Sequence, residues 1–505
     1  MNALNNIPLE CKLFTAEQSR SADQKTISDF GIDGFTLMEI AASGAAGLIQ
    51  ELQKNNKKGL FICGKGNNAG DALAVARYLI NDAGHSAVIF PVFGTDDLSP
   101  DAFKNFELLK TLKKHGASVT LINKLEDADF SGFDYIVDGI FGTGLNSSLK
   151  EPLPAIIKAV NSSFVPVYSM DVPSGMNTDT GNIFGSCIKA DHTFTFGTHK
   201  LGFCFDDASA YTGTVEFIKL PFPQYVVEES AVLINQHLFN ALPQRTHSPK
   251  HKYDGGVVHI IAGSEGLTGA AIMAAKSSWK QGAGAVFLYC PKKLLPIYEV
   301  ALPQIIKVAV GDDRDTRFKP EHCQSILSSL EKKKGTLLIG PGIGTHTETG
   351  DFVAGILNKY TGIAIIDADA LQAWDELKSL PAEIKENWLL TPHSGEAVSY
   401  LHADYNNDPE RYSWATAFSD KQSCNLLIKG NPAIFSPAGS VPFITGYDTS
   451  VFNRAGFGDV LAGAISANVS LNENLISGTL YALFETYITL SPSKEKYPYG
   501  PENLL

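Results

Sequence analysis

The sequence predicts a two-domain α/β protein with mainly parallel sheets, and three observations carry that expectation. Helical and extended patterns alternate from the beginning, the rhythm of parallel α/β architecture rather than of separate all-α and all-β parts. That rhythm breaks once, between about Pro221 and Lys252, where prolines and polar residues (PFPQY, ALPQRTHSPKHK) take over. Finally, 505 residues at 44% hydrophobic and 19% charged are too many for one ordinary core and enough for two. We therefore expect domains at 1–225 and 226–505.

In the first domain, Thr15 with Gln18 and Thr36 with Glu39 read as capping boxes that start two helices. Leu37, Ile40, Ala41, Ala45, Leu48 and Leu52 then recur at helical spacing and give the second helix one apolar face. Buried strands are expected at 59–63, 87–92, 135–137, 165–170 and 193–196, with helices at 72–80 and 100–114 between some of them. Together they describe a Rossmann-like, doubly wound domain. The second domain repeats the alternation, with strands expected at 257–262, 285–290, 336–339, 363–366, 388–390 and 426–428. Helices are expected at 268–280 and from Asp459 onward.

The formal charge of −13 speaks against non-specific binding to nucleic acid or an anionic membrane and favours small-molecule chemistry. Seven scattered cysteines without C-x-x-C spacing indicate neither a disulfide framework nor a zinc site, and fit a reducing cytoplasm. No apolar run approaches the roughly 18 to 20 residues needed to cross a bilayer. The opening MNALNNIPLECKLF lacks a basic segment followed by an apolar core, so the chain is expected to be soluble and unexported.

The chemistry concentrates in strings that directly follow strands, where open parallel sheets place their ligands. Asn453-Arg454-Ala455-Gly456-Phe457-Gly458-Asp459 opens an apolar helix. Gly456 and Gly458 let the backbone approach an anion, the helix N-terminus offers free N–H groups, and Asp459 can take a proton from a hydroxyl: a phosphoryl-transfer site in outline. The bland alternative is a tight turn with a capping aspartate. In the first domain GLFIC runs into Gly64-Lys65-Gly66-Asn67-Asn68-Ala69-Gly70-Asp71, with two adjacent amides that suggest carbonyl oxygens aimed at a ligand or cation. Further strands end in Asp138-Gly139-Ile140-Phe141-Gly142-Thr143-Gly144 and Asp171-Val172-Pro173-Ser174-Gly175. Asn68, Asp138 and Ser174 can supply the hard oxygen ligands of a monovalent cation, or can equally be turn residues capping helices.

GKGNNAGD, DGIFGTG, DVPSGMNTDTG and ADHTFTFG together resemble the N-terminal domain of NAD(P)HX epimerases. The later strings His251-Lys252, Ala262-Gly263-Ser264, Thr268-Gly269-Ala270-Ala271, GPGIG at 340–344, DADAL at 367–371, TPHSGE at 391–396 and the glycine turn at 456–463 resemble the ribokinase-like, ADP-dependent NAD(P)HX dehydratase. Their order is similar to that of bifunctional NAD(P)H-hydrate repair enzymes. The resemblance implies that the first domain interconverts R and S hydrates of NAD(P)H and that the second dehydrates the S form at the expense of ADP (or ATP).

It implies residue roles as well. Asn67, Asn68, Ala69, Gly70 and Asp71, the loop of Gly142, Thr143, Gly144, Leu145 and Asn146, and Asp171 would bind the hydrate. K⁺ would sit on Asn68, Asp138 and Ser174, and Asp171 would move the proton, with Asp71 and Asp138 as alternatives. In the second domain Asp459 would be the base, while Ala271, Gly342 and His393 would hold the hydrate; alone, His393 reads as a loop histidine bonded to backbone. Lys429, Gly430, Asn431, Pro432 and Ala433 would form the nucleotide loop beside Gly456 and Gly458, with Mg²⁺ accompanying the nucleotide. A homo-oligomer is implied too.

The chain departs from the family pattern at Ala69 and Ala72, which replace glycines, and at Tyr253, which follows His-Lys. It also has Phe457 between the anion-loop glycines, and an Asn431-Pro432-Ala433 ending without a hydroxyl. The last two are expected to tell on nucleotide binding. Two other readings stand beside the main one: a kinase for a vitamin-type alcohol, and a non-catalytic binding or dimerisation module.

Overall fold

The computed structural model describes residues 7–54, 57–125, 130–242, 255–450, 453–490, 501 and 505. Contacts divide the chain into two compact units, Pro8–Ala231 and one built on Val232–Leu505.

The first unit holds a parallel sheet of β1 (Lys58–Cys63), β2 (Ser86–Pro91), β3 (Val119–Leu121), β4 (Tyr135–Gly139), β5 (Val167–Met170), β6 (His192–Phe196) and β7 (Thr214–Ile218). Their order is β3-β2-β1-β4-β5-β6-β7. Both faces are covered, as parallel sheets require. On β1, Phe61 and Cys63 join the core beneath the alanine-rich helices, whereas Leu60 and Ile62 join a second core with Ile156 and Ile157. The order reverses between β1 and β4, so the crevice beyond their C-terminal ends is where a ligand belongs.

Helix α1 (Ala16–Lys25) starts with the Thr15–Gln18 capping box that its sequence announces. Helix α2 (Gly34–Leu52) does not start at Thr36: Asp33 is its N-cap and accepts from the Thr36 N–H at 2.8 Å. Glu39, freed from that role, pairs with Arg77 and accepts from the Tyr78 hydroxyl. Helix α3 (Asn67–Ala83) begins five residues before the expected 72, inside the glycine–amide string, because Gly66 serves as its N-cap. Ala69 and Ala72 are therefore ordinary helical residues, neither with positive φ, so the alanines bring no backbone strain.

The second unit contains β8 (Ala231–Ile234), β9 (Val257–Ile261), β10 (Ala285–Pro291), β11 (Ile306–Val310), β12 (Thr336–Ile339), β13 (Ala364–Ile366), β14 (Trp388–Leu390), β15 (Asn425–Ile428), β16 (Ile434–Ser436) and β17 (Phe443–Thr445). Their order is β11-β10-β9-β12-β13-β14-β15-β16-β17-β8, with only β16 antiparallel to its neighbours. Within the stretch read as a rhythm-free linker, β8 and the short helix Gln236–Ala241 are formed. His251, Lys252 and Tyr253 lie outside the described residues. Helix α4 (Thr268–Lys280) and helix α6 (Phe457–Asn472) meet through small residues. Ser277 and Ser278 donate to the carbonyls of Val460 and Gly463 at 2.7 and 2.9 Å. No helix among the described residues is long and apolar enough to cross a membrane.

Candidate active sites

At the crevice between β1 and β4 the first unit opens a cleft of about 1450 Å³. Asn67, Asn68 and Asp71 reach it from α3, Gly142, Thr143, Gly144 and Leu145 from the loop after β4, and Asp171 from the end of β5. Asp171 adopts φ +60, the left-handed region that costs an L-residue about 1 kcal/mol or more. Its Oδ1 lies 2.7 Å from Nζ of Lys200, a lysine only 1% exposed. Lys200 ends a two-residue strand, His199–Lys200, that pairs in parallel with Lys12–Phe14. Asp23 of α1 lines the same cleft. Burial and the charge of Asp171 hold the Asp71 carboxyl well above the usual range. Burial, opposed by Lys200, lifts Asp23 to about 6.

Behind the cleft, Asp138 is wholly buried. It accepts hydrogen bonds from the Ser169 hydroxyl (2.9 Å), the Ser174 hydroxyl and N–H (2.6 and 2.9 Å), and the Ile140 N–H (3.2 Å). Burial still raises its pKa against those bonds. Both side-chain polar atoms of Asn68 are buried without a hydrogen-bond partner. A buried carboxylate with only neutral donors and a buried amide oxygen that bonds nothing are donor types that suit a monovalent cation.

In the second unit, a cleft of about 800 Å³ is lined by Asp367, His393, Glu396, Lys429, Gly430, Arg454, Gly456, Gly458 and Asp459, among others. Gly456, at φ +95, is the N-cap that turns the chain into α6 and sets Asp459 in its first turn. Burial first, then Asp367, pushes Asp459 up to about 7, with Lys429 opposing. Lys429 Nζ lies 2.8 Å from Asp367, whose other oxygen is buried and unpartnered. A second, more enclosed cavity of about 550 Å³ adjoins, lined by Leu427, Ala433, Tyr447, Phe457, Leu461 and Leu483. The two share Lys429, Gly430, Asn453 and Gly458, so an apolar chamber opens beside a charged one. Phe457 does not plug the anion turn: its ring packs with Val460 and Met273 and forms a wall of the apolar chamber.

Comparison with known proteins matches residues 34–202 to a family described as YjeF-related protein N-terminus, and residues 258–493 to NAD(P)H-hydrate dehydratase. The bifunctional NAD(P)H-hydrate repair enzyme of Dictyoglomus turgidum is 31% identical over 92% of this chain and 92% of its own length. That of Salinibacter ruber is 30% identical over 89% of this chain and 86% of its own. The chain belongs to the family of bifunctional NAD(P)H-hydrate repair enzymes. A ribokinase-like superfamily protein from Enterococcus faecalis, 21% identical, covers 51% of this chain and 88% of its own with a TM-score of 0.44. Membership in the repair-enzyme family favours the repair reading over a vitamin-alcohol kinase.

Within this repair-enzyme chain the expected site residues separate into those that face a cleft and those that do not. Ala69 and Gly70 are buried in the first turn of α3, Asn146 is exposed beyond the cleft lining, and Asp138 and Ser174 lie behind it. Ala271 is buried in α4, and Gly342, at φ +58, packs on Leu267 and Ala270; neither lines the Asp459 cleft. His393 lines it as the N-cap of helix α5 (Ser394–Leu401), in a capping box with Glu396. Lys429, Gly430 and Ala433 face the two chambers. Asn431 instead accepts from Thr449, and the Pro432 carbonyl accepts from Arg411. Sequence reasoning missed Lys200 and Asp23 in the first cleft, and Asp367, Glu396 and Arg454 in the second. Asp367, Glu396 and Arg454 stood inside quoted strings, whose position after strands was the one available signal.

Proposed function

We propose that the first unit epimerises the R and S hydrates of NADH and NADPH and that the second dehydrates the S form at the expense of ADP, or ATP. The observation that carries the reading is Asp459: one acid in the first turn of α6, beneath a glycine turn, in a charged cleft that adjoins an apolar chamber.

Hydrated nicotinamide is a hemiaminal at C6, whose hydroxyl departs only if it is protonated or esterified. In the first cleft Asp171 accepts the proton of an incoming water, while the departing hydroxyl takes a proton, so that hydroxyl leaves one face and returns on the other. Asp71, whose carboxyl burial and the charge of Asp171 hold well above the usual range, is the proton donor this requires. K⁺ would be held by Asn68, Asp138 and Ser174, where its charge would offset the buried carboxylate.

In the second cleft Asp459 takes the proton of the C6 hydroxyl as that oxygen attacks the terminal phosphoryl group of the nucleotide. The backbone N–H groups of Gly456 and Gly458, together with Lys429, offset charge on the moving phosphoryl group. The C–O bond then breaks with phosphate leaving, a proton is lost from C5, and the reduced ring is restored. Asp367, with its open carboxylate oxygen, and Glu396 would hold Mg²⁺, which supplies charge neutralisation for the nucleotide phosphates. The purine enters the apolar chamber between Phe457 and Tyr447.

A homo-oligomeric assembly and a cytoplasmic setting complete the proposal, the latter in keeping with seven scattered cysteines without C-x-x-C spacing. The test is to incubate the purified chain with mixed NADHX epimers and ADP and follow reduced-nicotinamide absorbance. Recovery of both epimers supports the proposal; phosphorylation of a vitamin alcohol with no recovery would overturn it.

A further inference from the structure

We infer that Lys200 is a positioning residue of the epimerisation cleft, gripping Oδ1 of Asp171 so that Oδ2 alone is presented to the ring beside Gly142. The inference rests on reading the first unit as an epimerase.

Three distances define the grip. The Lys200 ammonium lies 2.7 Å from Asp171 Oδ1 and donates to the Thr198 carbonyl at 2.8 Å and to the Thr198 hydroxyl at 3.1 Å. An ammonium has three donors, and all three are spent on fixed acceptors. Thr198 is itself buried, and its hydroxyl donates to Ser19 of α1 at 3.0 Å. The lysine is therefore held as firmly as the carboxylate it holds. The Phe196 N–H approaches the same Oδ1 at 3.4 Å.

The other oxygen of Asp171 points elsewhere. A methyl group placed on Gly142 would lie 3.3 Å from Asp171 Oδ2 and 3.4 Å from the amide oxygen of Asn68. Gly142 thus leaves room for a ligand atom between the two. A left-handed aspartate persists only where its surroundings over-determine it, and the Lys200 bond is the strongest tie on this one.

The charges facing Asp171 make the choice of partner informative. Asp23 from α1 and Asp71 from α3 line the cleft with it, and Arg20 and Lys65 stand at its exposed rim. Lys200 is the buried cation of this lining, and among three carboxylates its bond goes to Asp171. Burial raises the Asp71 carboxyl well above the usual range and Asp23 to about 6.

The test uses the full chain with Lys200→Met, Lys200→Arg and the milder Thr198→Val, which removes one acceptor of the grip. Without ADP the second unit is idle, and S-to-R interconversion is read by chromatography. With ADP, turnover of S in the same preparation is the control. We expect Lys200→Met to lower kcat of epimerisation about a hundredfold, the scale of a small misplacement of a reacting group. KM should stay within about twofold, because the lost interaction belongs to positioning rather than binding. Thr198→Val should show the same pattern more weakly, Lys200→Arg should restore most of kcat, and S turnover should not change. An increase in KM at unchanged kcat, or unchanged epimerisation in both Lys200→Met and Thr198→Val, overturns the inference. Absence of epimerisation in the unsubstituted chain overturns the epimerase reading beneath it.

Discussion

Lys429 Nζ lies 2.8 Å from Oδ1 of Asp367 and 3.9 Å from Oε2 of Glu396, which ties the loop after β15 to the end of β13 and the first turn of α5. Burial pulls the lysine pKa down, but the charges of Asp367 and Glu396 outweigh it and raise it. Removing the cation leaves Asp367, 1% exposed, as an unpaired buried carboxylate. Lys429→Met should therefore destabilise the second unit by on the order of 3 kcal/mol. The urea midpoint of that unit's transition measures it, and an unchanged midpoint would mean that water reaches Asp367.

Asp459→Asn keeps the size of the side chain and removes the proton acceptor. ADP-dependent turnover of the S hydrate should fall about a hundredfold to ten-thousandfold. Epimerisation, carried by the other unit, should persist. Loss of both activities would contradict two independent sites.

The Asp459 carboxyl stands at about 7, chiefly through burial, against 3.8 in an ordinary setting. As a base it must be ionised, so dehydration should decline as pH falls through about 7. Stability runs the other way. A raised carboxyl binds its proton more tightly in the folded chain, so its favourable contribution is complete below about 4 and is lost as pH rises through about 7. Asp459→Asn should consequently melt above the parent at about pH 8 and close to it at about pH 4. A melting difference that does not vary with pH would rule out this assignment.

Asn68, with both polar atoms buried and unpartnered, is the most open of the three expected cation ligands. Replacing KCl by tetramethylammonium chloride should slow epimerisation in the parent, and Asn68→Ala should abolish that dependence. Equal rates in both salts for the parent would remove potassium from the scheme.

Phe457 is 2% exposed and packs on Val460 and Met273. Phe457→Ala should destabilise the second unit by about 3 kcal/mol or more. It should also raise KM for the nucleotide, because the ring walls the chamber proposed for the base. Phe457→Thr, although it adds a hydroxyl next to the anion turn, should not improve affinity, since backbone N–H groups already serve that turn.

The central strands were legible because each is a short β-branched or apolar run, and β12 and β14 match the expected 336–339 and 388–390, whereas β3, β7, β8, β11, β16 and β17 were not foreseen. So was the location of both clefts, since glycine strings that follow strands mark the C-terminal edge of a parallel sheet. The helix starts were less so. Asp33 and Thr36 are both good caps, and only the backbone conformation at Asp33 decides between them. Strand β8, inside 221–252, was obscured because it takes its partner, β17, from some two hundred residues further along, a distance no local pattern spans.

What the sequence determined by itself was the alternation that builds two parallel sheets, the glycine turns that open their edges, and the presence of one acid at each, Asp171 and Asp459. Those follow from local rules of periodicity, turn chemistry and helix starts. What only the tertiary structure decided was the company these acids keep. Lys200 lies twenty-nine positions beyond Asp171, and Lys429 sixty-two beyond Asp367; they become neighbours because parallel strands bring their ends to one edge. Charge pairing acts through distance in space, and in a buried cleft that distance sets which carboxyl keeps its proton.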